Sequence, residues 1–340
     1  MSKFKSVEKP ITRGIDLLRD TDFISHMFNK SENMIRIPGA LGKYAGNIYP
    51  GDLVSVGGVM KSGKTWTLAE FGKWALYSHC NVAYFTVEMK DFLMAKRIFQ
   101  GLVGKPDYDL DDEIVISYFD REKNILRDKY YPARKALDDT DVKKAQRKLR
   151  TKSGGATFKL YDLSDSGGNV EAIENILDTE YYHTGFRPHV IIVDYADILR
   201  PERNSPTVYR DRLNHTWLTL KWLAQKRDCV VITGSQLGRA GFTRDAGIAD
   251  ISDDIRKFAH ASLWLSINKN ELEAAKNIMR VKISGRHGDF STNDEIVVTQ
   301  CLTLGRPFLQ TIWKSEIENY DSFVNSEEKD QSTLDKEAKM

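Results

Sequence analysis

Leu53-Val-Ser-Val-Gly-Gly-Val-Met-Lys-Ser-Gly-Lys-Thr-Trp-Thr-Leu-Ala-Glu-Phe71 is the stretch on which the fold reading turns. Gly58 to Thr65 satisfy the pattern G-x-x-x-x-G-K-[ST] at every fixed position. The apolar run 53–56 ahead of them reads as a strand. Trp66, Leu68, Ala69, Phe71, Trp74 and Leu76 behind them read as the apolar face of a helix. Strand, glycine loop and helix together are the context that gives this motif its meaning. The loop's backbone N–H groups and the helix N-terminus form an anion cradle. Gly58, Lys61, Ser62, Gly63, Lys64 and Thr65 are therefore the expected nucleotide-binding residues, with Lys64 on the β/γ-phosphates and the Thr65 hydroxyl on Mg²⁺.

Working outward, a second metal anchor is needed, an acid at the end of a buried strand. His189-Val-Ile-Ile-Val-Asp194 supplies one, placing Asp194 beside the phosphate loop. Asp197 reads as a helix or turn cap. Asn81-Val-Ala-Tyr-Phe-Thr-Val-Glu88 is the strand that follows the loop helix, and Glu88 at its tip is placed to polarise a water for attack on phosphorus. Further apolar runs occur at 229–234, 261–267 and 279–284, several of them continuous, as in strands covered on both faces. Helical patterns intervene, notably Leu213, Trp217, Leu220 and Ala224 on one stripe. The fold class expected is α/β, a P-loop NTPase core with a mostly parallel central sheet flanked by helices.

Composition sets the outer limits. The chain has 340 residues, 41% of them hydrophobic, with 50 Lys+Arg against 48 Asp+Glu. A rod, a collagen or a wholly disordered chain is excluded by these values. No apolar run approaches the ~20 residues of a membrane helix, and the N-terminus lacks the apolar middle of a secretory signal. Cys80, Cys229 and Cys301 lie far apart, without the spacing of a disulfide framework or zinc site. An intracellular protein is expected. Residues 315–340 hold eight acids and three lysines, a charge of −5 that masks +7 on residues 1–314. Residues 121–152 carry twelve bases and five acids on a helical-looking stretch, read as a solvated face, with a DNA track as the alternative. The organisation expected is an N-terminal arm or linker helix over 1–35, a motor domain over 36–314, and an acidic, disordered tail over 315–340.

PGDLVSVGGVMKSGKTWTLAEF, VAYFTVEM, VIIVDYADIL, CVVITGSQLGR and the run ending KISGRHGDF, in this order from Ile37 to Phe290, resemble the DnaB-like hexameric replicative helicases of the RecA fold. The stretch around Met94–Ile98 and the ISGRHGD segment look closest to those of T-even-type tailed phages. The resemblance implies a RecA-like motor that hydrolyses ATP with Mg²⁺, encircles single-stranded DNA as a homo-hexameric ring and unwinds duplex. It also implies a cytoplasmic protein of a bacterial cell, phage-encoded, with a loader or primase as partner and no membrane. Carried over by position, Gln236 is the polar γ-phosphate sensor and Arg286 the arginine finger that acts on a neighbour's nucleotide. The loop Gly238–Asp250, with Arg239, Arg244 and Phe242, corresponds to a DNA loop of the central channel. The loop after VDYADIL, with Arg200, Arg203 and Arg210, is the second channel-facing candidate.

Two departures accompany the resemblance. A lysine that usually stands two residues before the finger is replaced by Ser284, while Lys282, Ser284 and Arg286 are expected on one strand face. Residues 1–35 are too few for the N-terminal primase-binding domain, so the chain is expected to lack it; the arm is read instead as a helix that docks on a neighbouring subunit. A RecA-like ATP-dependent DNA-binding protein that forms filaments without unwinding stays open as an alternative function, as does an ATPase scaffold without motor activity.

Overall fold

In the computed structural model, residues 34–203, 205–237, 256–286 and 294–326 are described. In chain order they form α1 (Gly39–Ala45), β1 (Leu53–Gly58), α2 (Lys64–Tyr77), β2 (Val82–Thr86), α3 (Asp91–Val103), β3 (Ile114–Asp120) and β4 (Ile125–Tyr131). Then come α4 (Asp139–Lys152), β5 (Phe158–Asp162), α5 (Val170–Thr184), β6 (Val190–Asp194), α6 (Tyr209–Arg227) and β7 (Val230–Gln236). The remainder is α7 (Arg256–His260), β8 (Leu263–Asn268), α8 (Glu271–Ala275), β9 (Ile278–Arg286), β10 (Ile296–Cys301), β11 (Arg306–Trp313) and α9 (Tyr320–Val324).

Nine strands join in the order β11-β10-β9-β8-β1-β7-β6-β2-β5. From β8 to β5 neighbours are parallel; β9, β10 and β11 add an antiparallel flank. The continuous apolar runs are explained by cover on both faces. Val54, Val56, Val190, Ile192, Val230 and Ile232 pack toward α1 and α2, in a cluster with Leu41, Leu68, Phe71 and Trp74. The alternate residues Leu53, Ile191, Val193 and Val231 pack toward α5 and α6, with Ile173, Leu177, Trp217, Leu220 and Ala224. Among the described residues no helix is long and apolar enough to cross a membrane.

Three expectations change. β7, not β6, lies next to β1, so the strand carrying Asp194 is one removed from the phosphate loop. The stretch read as a tail is partly folded: Ile317, Tyr320, Phe323 and Val324 are buried with Phe119 and Leu126 of the β3–β4 hairpin. Acidic residues there mask an apolar stripe that the hairpin covers. At the other end Ile35, assigned to the arm, is fully buried in the main core, and Met34 N–H donates to Ile48 O at 2.9 Å. The rest of the arm (1–33) and of the tail (327–340) lies outside the described residues.

Candidate nucleotide site

The C-terminal ends of β1, β7, β6 and β2 stand side by side, and each delivers one element of the site. β1 runs into the phosphate loop. Gly63 takes φ +103 at the N-terminus of α2, where a side chain would strain the turn, and Lys61 has φ +62. Lys64 Nζ donates to the carbonyls of Gly58 and Val59, both at 2.9 Å, which folds its ammonium over the loop. Burial lowers the Lys64 pKa, against the pull of the nearby Asp197, Asp194 and Glu88 charges. Ser62 Oγ is buried without a hydrogen-bond partner. A buried hydroxyl of this kind carries a desolvation cost unless a ligand meets it.

Asp194, at the end of β6, is 2% exposed. Its Oδ1 accepts from Thr65 Oγ1 at 3.3 Å and its Oδ2 from Tyr84 OH at 2.8 Å. The carboxylate thus reaches Thr65 across β7. Burial pushes the Asp194 carboxyl up to about 6, with the Tyr84 and Thr65 hydrogen bonds opposing. A hydroxyl and a carboxylate oxygen at this spacing are the hard donors Mg²⁺ prefers, so the residues present fit a Mg²⁺–nucleotide. The peptide bond after Asp194 is cis.

Glu88, just past β2, is exposed and lines the same cleft of about 410 Å³ as Lys64, Thr65 and Gln236. Gln236 ends β7, and its backbone N–H donates to Asp197 Oδ2 at 3.0 Å. Here the structure corrects the reading of Asp197. It caps no helix. Its carboxylate, almost fully buried, also accepts from Trp217 Nε1 at 3.0 Å, Ser235 Oγ at 3.2 Å and the fully buried Lys257 Nζ at 3.0 Å. Asp197 therefore ties β7 to α6 and to α7. Arg97 was also not singled out: its guanidinium lies 4.8 Å above the Trp66 ring and lines the cleft. Neither carries a local sequence signal, because both act through partners distant in the chain.

Arg286 is not part of its own cleft. β9 runs antiparallel to β8, so Arg286 pairs with Leu263, which is level with Val54. That is four residues, about 13 Å, down the sheet from Gly58. Its guanidinium donates to Ala45 O at 2.7 Å and Asn47 O at 3.3 Å. Lys282, Ser284 and Arg286 do not share a face as expected. The register steps from Trp264↔Gly285 to Leu265↔Ile283, a bulge at Ser284. Lys282 faces with Ser266 while Arg286 turns to the opposite side, toward α1. Arg203 and Arg210 are exposed between β6 and α6, and Arg200 N–H bonds back to Gly167 and Gly168. Arg239, Phe242, Arg244 and the rest of the loop Gly238–Asp250 lie outside the described residues, as does His287.

No family model matches the chain. In sequence it is similar to a DnaB-like replicative helicase of Enterobacteria phage T4, 26% identical over 217 residues. That match covers 62% of this chain and 40% of the relative, so the chain spans about two fifths of the curated relative's length. Among solved structures it superposes on an ATPase domain solved by itself, with a TM-score of 0.60 at 16% identity, covering 84% of this chain and 95% of that one. A DnaB-like replicative helicase, solved in a study of its interactions with primase, gives a TM-score of 0.64 at 16% identity, covering 87% and 68%. The fold is that of the RecA-like ATPase domains of DnaB-type helicases, and the chain resembles such helicases in sequence as well.

Proposed function

We propose that the chain is the ATP-hydrolysing motor of a replicative DNA helicase, working in the bacterial cytoplasm as a ring of identical subunits around single-stranded DNA. The observation that carries the reading is the division of labour across the sheet. Lys64, Thr65, Asp194, Glu88 and Gln236 converge at one edge, while Arg286 stands at the other, out of reach of its own site. A finger on the far edge has a use only when a second copy presents its cleft to it, and that makes hydrolysis a property of the interface.

Within one cleft the residues divide the chemistry as follows. Lys64 leaves the Gly58 and Val59 carbonyls to meet the β/γ-phosphates, and the loop N–H groups hold them. A bound Mg²⁺, held by Thr65 and Asp194, supplies charge neutralisation between the phosphates. Glu88 orients and deprotonates the attacking water, and Gln236 senses the γ-phosphate. Arg286 of a neighbouring copy stabilises charge on the transferred phosphoryl group, a contribution of about 10³–10⁵ in rate where such fingers act. Gln236 ends the strand that leads into the segment holding Arg239 and Arg244, the proposed DNA loop, with Arg203 and Arg210 as the second set of strand contacts. A loader or primase is a further proposed partner, carried only by likeness to the helicases named above.

Forked-duplex unwinding with ATP, beside electron microscopy of particles on single-stranded DNA, tests this. Six-membered rings with strand displacement are expected. Helical filaments without displacement would replace it with a recombination-type DNA-binding ATPase.

A further inference from the structure

The helix α4 carries a basic surface that the nucleotide cleft does not use. It opens with a capping box, Asp138 accepting from Asp141 N–H and Asp141 returning to Asp138 N–H. At about 100° per residue, Val142, Ala145 and Leu149 make one stripe toward the body. All three are half-buried, whereas Lys143, Lys144, Arg147, Lys148, Arg150 and Lys152 on the other arc are exposed.

Intramolecular roles account for half of these cations. Lys143 pairs with Asp139 at 2.6 Å. Arg150 and Lys152 sit in the last turn, where the helix dipole favours positive charge. Lys144, Arg147 and Lys148 remain, with no ion pair or side-chain hydrogen bond among the described residues. Lys144 and Lys148 repel at i,i+4, as do Lys143 and Arg147, and such pairs disfavour a helix. The Asp141 charge near Lys144 is a partial offset only, because Asp141 already binds Lys105.

We propose that this face of α4 is a docking surface for the phosphate backbone of double-stranded DNA, separate from the nucleotide cleft and from the motor's single-strand track. Charge complementarity selects the partner. The exposed arc has no large apolar or aromatic side chain. A protein partner would lack the anchor that interfaces are built around, and unpaired bases would find no stacking platform. A duplex needs neither: it offers one phosphate charge per about 1.7 Å of axis, and lysine or arginine contacts alone hold it. For a motor at a fork, such a face would grip the duplex ahead of the junction.

The test is salt-dependent binding of a blunt duplex to the full chain, read by fluorescence anisotropy with ATP and Mg²⁺ present. Replacing three contacts, K144Q/R147Q/K148Q, is expected to weaken duplex binding tenfold or more at moderate salt. The slope of log K against log salt should fall in magnitude by about 2.7, from roughly 0.9 per phosphate contact. The charge-retaining K144R/R147K/K148R should bind as the parent does, and single-strand-stimulated ATP turnover should be unchanged in both. Unchanged duplex affinity and slope overturn the proposal. Loss of polyglutamate binding with duplex binding intact also overturns it, assigning the face to an acidic polypeptide. A parallel fall in single-strand-stimulated turnover overturns it too, since the face would then belong to the motor's own track. Absence of single-strand stimulation in the parent chain would instead refute the proposed motor function and leave the duplex measurement interpretable.

Discussion

Replacing Lys257 by Met tests whether the Asp197 hub is a structural keystone of the cleft. The pair is buried, with side-chain exposures of 0% for Lys257 and 8% for Asp197 and an Nζ–Oδ2 distance of 3.0 Å. Methionine keeps the aliphatic stem near the Trp217 ring and removes only the charge. Breaking a buried pair by deleting one partner costs about 3–5 kcal/mol, because a lone charge is left in the interior. Trp217 Nε1, Ser235 Oγ and Gln236 N–H still donate to the carboxylate, which places the expected loss at the lower end, about 3 kcal/mol. At roughly 2 °C per kcal/mol for a large domain, the midpoint of thermal unfolding should drop by about 6 °C. The double variant D197N/K257M removes both charges. Its loss should fall short of the sum of the two single losses by about 2 kcal/mol, since two neutral groups of similar shape are tolerated where one stranded charge is not. Guanidinium unfolding of the four proteins measures this. Single losses that add within about 0.5 kcal/mol would refute the coupling; a K257M loss below about 1 kcal/mol would refute the keystone role.

Glu88→Gln should retain nucleotide binding and lose ATP hydrolysis by two or more orders of magnitude, in line with removal of a general base; near-parental turnover would remove Glu88 from that role. Mixing Arg286→Ala with Lys64→Ala subunits should restore part of the ATPase activity, at those interfaces where one copy lends an intact finger to another's intact loop. No recovery in rings shown to be mixed would count against action in trans. Asp194, lifted to about 6 by burial from an ordinary 3.8, holds a proton below that pH which a cation must displace. Binding of a fluorescent nucleotide with Mg²⁺ should be pH-independent above about 6 and weaken about tenfold per unit below it; a flat profile from about pH 5 to 8 would place the metal elsewhere. For the fold the sign is reversed, since a raised carboxyl pKa favours the native state below about 3.8 and that share is lost as pH rises through about 6.

The parts of the site that were legible in the sequence are those whose chemistry is fixed by the backbone that carries them. A glycine loop must join a strand to a helix, and an acid at the end of a continuous apolar run must sit at the edge of a covered sheet. For this reason Lys64, Thr65, Asp194 and Glu88 could be placed from pattern alone, and they do meet Gln236 around one cleft or its rear wall. Sheet order is what the pattern does not encode. Nothing in 189–194 or 229–236 tells which strand lies beside β1, and this is why the interposition of β7 was missed. β5, with every residue only half-buried or exposed at the sheet edge, has no continuous apolar run to announce it.

The same limit explains Asp197 and the bulge at Ser284, and it bears on mechanism. Asp197 reads locally as a cap because acids before helices usually are; its four donors come from positions 217, 235, 236 and 257, which only the fold brings together. Two of them, Gln236 and Lys257, flank the segment 238–255 in the chain. A single carboxylate thus fixes both anchors of the stretch that holds Arg239 and Arg244, and it does so beside Lys64, whose charge it supports. If that stretch grips DNA, the grip and the γ-phosphate sensor share one rigid post. On that reading D197N should weaken the stimulation of ATP turnover by single-stranded DNA more than it weakens basal turnover. Equal losses in both would mean that Asp197 supports the fold alone.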